Sequence, residues 1–256
     1  MTTSSAWAAP VIGRDAVELF GVDVDALDMS ASVDRVFQIV DRRRPTQHVV
    51  LNAAKVVDME RRPELREVVG RCGMVNADGA SVVWASRILG RPVPERVTGI
   101  DLFGELIERA ASTGHSVFLL GASDDVVGET RRRLEARHPG LRVVGARNGF
   151  WTDDRAVVEE VRAADPDLLF VALPSPRKEF WLAEHLDDLG VPFVMGVGGT
   201  FDVVAGRVRR APRWAQRLGA EWVFRLAQEP RRMWRRYLVG NARFAALTAR
   251  EWWRDR

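Results

Sequence analysis

The chain has 256 residues, 46% hydrophobic and 29% charged, with a formal net charge of +3. That size suits one large domain or two small ones with a proper core, and the composition excludes a disordered chain. A single cysteine, Cys72, argues against a disulfide framework or thiolate zinc cluster and suits a reducing cytosol. No apolar run approaches the ~18 residues of a membrane span, and residues 1–10 lack the pattern of a signal peptide. The expectation is a soluble or membrane-peripheral cytoplasmic protein. The net charge hides an asymmetry: residues 207–256 hold 14 arginines, no lysine and 4 acids, or +10, whereas the first 206 residues sum to −7. Five of the nine tryptophans also lie in that last fifth. A polyanionic partner, nucleic acid or a membrane surface, is implied.

In chain order, residues 48–51 read as a strand and 53–69 as one helix, with a short strand at 73–76. Residues 81–89 and 100–112 read as helices separated by Gly90, Pro92 and Pro94. A strand at 116–121 precedes a helix over 124–137 with Ser123 as candidate N-cap. A strand at 142–146, a helix at 153–164, a strand at 168–173, a helix at 178–189 and a strand at 192–197 follow. The strands are continuous apolar runs, the mark of parallel strands covered on both faces. This alternation predicts an α/β fold with a doubly wound, mostly parallel sheet. Beyond Gly206 the pattern turns helical and basic, interrupted at Pro212 and Pro230. The expected organisation is a body over 1–206 and a helical appendage over 207–256.

Ligands of such sheets bind beyond the carboxyl ends of the strands, so the turns there carry the chemistry. Asn76-Ala77-Asp78-Gly79 puts a carboxylate at a strand end before a helix. Asp78 is either an N-cap or a general base with a pKa raised by partial burial. Gly196-Val197-Gly198-Gly199-Thr200-Phe201-Asp202 is either a structural turn or a place where backbone admits a pyrophosphate or ribose. It departs from the dinucleotide fingerprint, which disfavours a nicotinamide dehydrogenase. The four histidines are scattered, so no metal site and no cofactor are expected. Asp23-Val24-Asp25 reads as a solvated loop, and the pairs Asp124-Asp125, Asp153-Asp154 and Asp187-Asp188 as helix-start or exposed acids.

The tail combines tryptophan and leucine with arginine in the manner of an interfacial helix. Arg210, Arg213, Arg225, Arg231, Arg232 and Arg235 are candidates for a diphosphate or an anionic leaflet. The alternative is a solvated helical face with its aromatics in the core. Charge alone also admits nucleic acid, but no helix-turn-helix, RNA-recognition or KH signature is present, so none is expected as partner.

Several blocks occur in one order: Val49-Val50-Leu51-Asn52, Asn76-Ala77-Asp78-Gly79 with Val82-Val83-Trp84-Ala85, Glu95-Arg96-Val97-Thr98-Gly99-Ile100-Asp101-Leu102, Pro176-Arg177-Lys178-Glu179, Gly198-Gly199-Thr200-Phe201-Asp202, Arg210-Ala211-Pro212 and Gly219-Ala220-Glu221-Trp222. Over residues 11–244 the chain resembles the WecG/TagA/CpsF family of bacterial glycosyltransferases. The resemblance implies a Rossmann-like body and metal-independent, inverting transfer of a sugar from a UDP-sugar donor to a polyprenyl-diphosphate-linked acceptor sugar in cell-surface polysaccharide or teichoic acid synthesis. The donated sugar would be of N-acetylmannosamine type or a hexose. It also implies a C-terminal appendage that engages the membrane, hence a peripheral place on the cytoplasmic face. Asp78 matches the family's proposed base. Asn52, Thr98, Asp101, Arg177, Lys178, Glu179, Gly198, Gly199 and Asp202 become the donor-binding candidates.

Three positions depart from the family pattern. Val50 stands where threonine is common, Lys178 where glutamine is usual, and Pro174 where a glycine is common. Val50 and Lys178 point to an altered donor sugar or altered phosphate contacts, or to a sugar-nucleotide-binding regulator that has lost catalysis. A non-catalytic nucleic-acid-binding protein is the other alternative. Apolar residues near the tail are candidates for pairing subunits.

Overall fold

A computed structural model describes residues 15–212, 215, 223–224 and 230–256, and of 230–238 the backbone alone. The chain opens with a hairpin, β1 (Ala16–Leu19) and β2 (Val22–Asp25), followed by α1 (Met29–Asp41). Next come β3 (Thr46–Leu51), α2 (Ala53–Arg61), α3 (Pro63–Arg71) and β4 (Met74–Ala77). After these follow α4 (Ala80–Ile88), α5 (Gly99–Thr113), β5 (Ser116–Gly121), α6 (Asp124–Arg137) and β6 (Arg142–Arg147). The body closes with α7 (Asp154–Ala164), β7 (Leu168–Ala172), α8 (Arg177–Leu189), β8 (Phe193–Gly196) and α9 (Thr200–Val204). A long helix, here α10 (Pro230–Arg254), ends the chain.

Six strands form one parallel sheet in the order β4-β3-β8-β7-β5-β6. It is the Rossmann-like arrangement expected of apolar strands alternating with amphipathic helices. The alternation of faces is visible residue by residue. Val117, Leu119, Leu168, Phe170, Phe193 and Met195 pack with α1, α5, α6 and α9, whereas Phe118, Leu120, Leu169, Val171 and Val194 pack with α7 and α8. Phe103 of α5 meets Phe170 edge-on with ring centroids 4.7 Å apart, a contact favoured beyond area burial alone. A third cluster joins β3 and β4 to α2, α3, α4, the β1–β2 hairpin and Phe244 of α10.

Most predicted elements stand within a residue or two of the observed bounds, and two do not. The helix expected over 53–69 is two helices, because Pro63 has no N–H for an intrahelical bond and starts α3 instead. The loop expected at Asp23-Val24-Asp25 is strand β2. Asp25 there is only 3% exposed, and its Oδ2 accepts the Val75 N–H at 2.6 Å. A hydrogen-bonded carboxylate of this kind is what makes burial tolerable. The N-cap of α6 is Ser123, as expected. Asp124 and Asp125 are exposed acids at the start of α6, Asp153 caps α7, and Asp187 and Asp188 are exposed at the end of α8.

The tight crossing of the strand ends relies on Gly121, which lies at φ +117°, with Ala172 O 2.5 Å from where a Cβ would stand. Only glycine combines that angle with that approach. Residues 239–254 of α10 pack one face against the rest of the chain. Phe244 is buried against Phe20 with ring centroids 5.3 Å apart, and both oxygens of Glu251 accept the Phe20 N–H at 3.1 Å. Arg91 ties the loop after α4 to the same helix end through Glu251 at 3.5 Å and Asp255 at 2.8 Å.

Candidate active site

Parallel pairing delivers the exits of β3, β4, β7 and β8 to one edge of the sheet, and most of the predicted site residues collect there. Asn52 follows β3 and caps α2, its Oδ1 accepting the Lys55 N–H at 3.0 Å. Asp78 follows β4, and its N–H donates to Leu51 O at 2.8 Å, extending the β3–β4 pairing by one residue. The N-cap position of α4 is held by Gly79, one residue beyond Asp78. Asp78 is half-buried, and Asn52 flanks it through Gly79, whose virtual Cβ stands 3.9 Å from Asn52 Cβ.

The second group forms where α5 begins. Val97 N–H donates to Ala77 O at 3.0 Å, fastening this segment to the end of β4. Thr98 is the N-cap of α5 and accepts the Asp101 N–H at 3.2 Å, while its hydroxyl donates to Asp101 Oδ2 at 2.5 Å. Arg210 grips both oxygens of Asp101, Nη1 to Oδ1 at 2.6 Å and Nη2 to Oδ2 at 2.7 Å. This is the fork geometry that favours arginine over lysine. Burial pushes the Asp101 carboxyl up, but the hydrogen bonds from Arg210 and Thr98 prevail and hold it below the usual range. Val50 stands beneath: its Cγ1 would lie 3.6 Å from a Cβ on Gly99. The methyl groups that replace the family's common threonine therefore face the start of α5.

The third group is charged and buried. Lys55 of α2 and Lys178 of α8 both point their ammonium groups at Glu179 Oε1, Lys178 at 2.6 Å and Lys55 closer still. Glu179 is 1% exposed, Lys55 5% and Lys178 9%. Burial alone would raise the Glu179 carboxyl, but the two ammonium ions outweigh it and keep it below its ordinary value. Gln47 Nε2 donates to Glu179 O at 3.1 Å. The Lys178 stem lies across the end of β8, where a Cβ on Gly196 would come within 2.6 Å of its Cδ and Cε. Arg177, the remaining charged candidate of this block, is exposed and lies over the Trp151 ring at 5.5 Å. Gly198 and Gly199 form the turn after β8, with Asp202 Oδ2 3.8 Å from a virtual Cβ on Gly199.

A neutral buried chain braces β3 against β4. His48 Nε2 lies 3.0 Å from Asn76 Oδ1, and Asn76 Nδ2 donates to Ser32 Oγ at 2.9 Å. Burial lowers the His48 pKa from 6.5 to about 4, against the Asn76 hydrogen bond and with a further push from the Lys55 ammonium. Neutral His48 thus donates from Nε2.

Lys55, Gln47 and His48 were not singled out by sequence reasoning. The missed signal for Lys55 was its place inside the apolar run Ala53-Ala54-Lys55-Val56-Val57, where a solvated cation has no reason to be. Arg213 and Arg225, and the side chains of Arg231, Arg232 and Arg235, lie outside the described residues. Among the described residues, no three histidine, cysteine, aspartate or glutamate side chains are grouped as metal ligands.

The family model described as "Glycosyl transferase WecG/TagA/CpsF family" matches residues 17–256. The chain belongs to the WecG/TagA/CpsF family. A relative in Bacillus spizizenii is 36% identical over 176 residues, covering 69% of this chain and 68% of that protein. It is named N-acetylglucosaminyldiphosphoundecaprenol N-acetyl-beta-D-mannosaminyltransferase. The WecG/TagA/CpsF chain described here is accordingly a glycosyltransferase, and the non-enzymatic alternatives fall away.

The His48 geometry has a consequence for pH. In the unfolded chain this imidazole takes a proton below about 6.5, whereas in the folded protein it resists until about 4. The unfolded state therefore binds more protons in that window, and stability falls as pH drops through it. The His48 contribution to this loss should be about 2 kcal/mol between pH 7 and pH 5. His48→Gln should flatten the slope in urea titrations, and an unaltered slope would show that another group is responsible.

Proposed function

We propose that this glycosyltransferase moves an N-acetylhexosamine or hexose from a UDP-sugar to a polyprenyl-diphosphate-linked acceptor sugar in cell-surface polysaccharide or teichoic acid-like glycan synthesis. The observation that carries this is Asp78: a half-buried carboxylate at the exit of β4, one residue before the N-cap of α4, with Asn52 beside the Gly79 that follows it. The relative's name supplies the acceptor class, a sugar on undecaprenyl diphosphate. In the proposed step Asp78 takes the proton from the acceptor hydroxyl as its oxygen bonds to the anomeric carbon. The bond from that carbon to the phosphate oxygen breaks on the opposite side, its electron pair leaving with UDP, so the anomeric configuration inverts. Asn52, Thr98, Asp101, Arg177, Lys178, Glu179, Gly198, Gly199 and Asp202 form the donor side. Arg210 and the arginines at 213, 225, 231, 232 and 235 serve the acceptor diphosphate and the membrane. No metal takes part in this scheme, and the developing charge falls to amides and cations.

Residues 207–256 act in this reading as an appendage on a body of residues 1–206, held at the cytoplasmic face of the membrane. No helix among the described residues is long and apolar enough to cross one. What supports a peripheral contact is α10. One face, Phe244, Thr248 and Glu251, is buried on the body, and another presents Val239, Arg243, Ala246, Arg250 and Trp253 to solvent. Val239 and Trp253 are 44% and 72% exposed. Cations beside exposed apolar groups describe an interfacial surface. Trp84 and Ile88, one turn apart on α4, are exposed 63% and 59% close to Asp78 in the chain and add an apolar edge for a lipid-linked acceptor.

Asp78→Asn should abolish transfer while UDP still raises the melting temperature as in the parent. Near-normal turnover would remove Asp78 from the mechanism. EDTA should leave the rate unchanged, and inhibition reversed by added manganese would overturn the metal-free scheme. Joint replacement of Arg243 and Arg250 by glutamine should weaken binding to phosphatidylglycerol vesicles roughly thirtyfold, at about 1 kcal/mol per cation. Equal sedimentation of parent and variant would place the membrane contact elsewhere.

A further inference from the structure

Of the 38 basic residues in the chain, 36 are arginine and two are lysine, Lys55 and Lys178. Those two lysines lie 123 positions apart in sequence, on different helices, and meet on one oxygen of Glu179. A chain that uses arginine at almost every cationic position has lysine, twice, where two cations share one buried carboxylate oxygen. The physical distinction is size and shape. An ammonium is a compact point charge, whereas a guanidinium is a broad planar fork. Lys178 must also pass over Gly196 with its Cδ and Cε where a Cβ would otherwise stand.

Stability does not explain the arrangement. Removing an ion from water costs several kcal/mol even after relaxation, and buried ion pairs seldom return a net gain over apolar packing. Three such ions are buried here, and their own charges sum to +1. Glu179 Oε2 is buried without a hydrogen-bond partner among the described residues, so the carboxylate is only half used. The cluster is also close to the surface: Lys55 Nζ lies 3.4 Å from the hydroxyl of Ser175, an exposed residue of the turn between β7 and α8. Its members stand at the exits of β3 and β7, with the Lys178 stem across the end of β8, where a doubly wound sheet receives its ligand. Asn52 connects them to Asp78 by capping the turn that carries Lys55 and by flanking Gly79.

We infer that Lys55 and Lys178, held together by Glu179, form an oxyanion site for the sugar nucleotide on the Ser175 side of the cluster. Glu179 is the positioning residue, and the lysines meet the substrate. This rests on the proposed sugar-nucleotide reading and adds Lys55 to it. Two parts of such a substrate carry the required anion, the diphosphate and the carboxylate of an acidic donor sugar.

Because the chain has only two lysines, isotopic labelling of lysine Nζ and Cε gives a spectrum of two sites in the full-length native protein. UDP and inorganic diphosphate at saturation should shift both lysine signals if the diphosphate is the anion, and uridine should leave them in place. If the sugar carboxylate is the anion, a UDP-hexuronic acid should shift them and UDP-N-acetylhexosamine should not. Lys178→Gln and Lys55→Gln, each of which retains one ammonium for Glu179, should lower affinity for the responding ligand at least tenfold and leave uridine binding unchanged. Lysine signals unmoved by every nucleotide shown to bind by thermal shift would overturn the site, and the native protein alone decides this if a variant fails to fold. Failure of any uridine nucleotide to bind would instead sink the sugar-nucleotide reading itself.

Discussion

The site depends first on the register of β3 between its two parallel neighbours. Leu51 pairs with Ala77 on one side, and His48 pairs with Met195 on the other. Parallel strands all leave the sheet at the same edge, so this pairing alone sets Asn52, Asp78 and the turn after β8 side by side. A slip of one residue would turn every side chain of a strand to the opposite face. The chain His48–Asn76–Ser32 works against such a slip, because its buried polar groups find partners only in this register. A polar brace thus guards the geometry that apolar packing would enforce less selectively.

Much of this was legible because a buried parallel strand announces itself as a short apolar run between helices. Asp78 could be placed at a strand exit from Asn76-Ala77-Asp78-Gly79 alone, although the helix that follows starts one residue later than that pattern suggested. The hairpin β1–β2 was hidden for a physical reason. Its acids imitate a turn, and the N–H that Asp25 accepts inside comes from Val75, 50 residues away. Pro63 was a visible helix start, but the apolar periodicity on either side ran through it. The contacts that assemble the site join Lys55 to Glu179 across 124 residues and Asp101 to Arg210 across 109. No local pattern encodes such pairings.

The two kinds of cation divide the work by shape. Arg210 meets Asp101 with a two-point fork at the partly exposed start of α5, where geometry can be fixed in one plane. Lys55 and Lys178 meet Glu179 at a single buried oxygen, each as a point charge rather than a fork. Arg210 therefore joins two segments at the start of α5, whereas the two lysines gather positive charge on one buried carboxylate. The glutamine usual in the family at the Lys178 position would lack that charge. Burying the extra ammonium is tolerable because Glu179 already stands beside Lys55, so the departure is absorbed by a partner that the fold provides.

The charge asymmetry of the chain also gains a mechanical meaning. The basic segment is not attached at one point only. Arg210 grips Asp101 at the crevice, and near the other end Phe244 and Glu251 fasten α10 to the body through Phe20. The second contact sets the exposed face of residues 239–254, with Arg243, Arg250 and Trp253, against the turn between β1 and β2. With the lipid-linked acceptor proposed for this chain, that rigidity would matter more than affinity. A loosely tethered basic tail would bind the surface and leave the orientation of Asp78 to chance. Electrostatic attraction adds about 1 kcal/mol per cation and has no direction, so the direction must come from the packing of Phe244 and the bonds of Glu251.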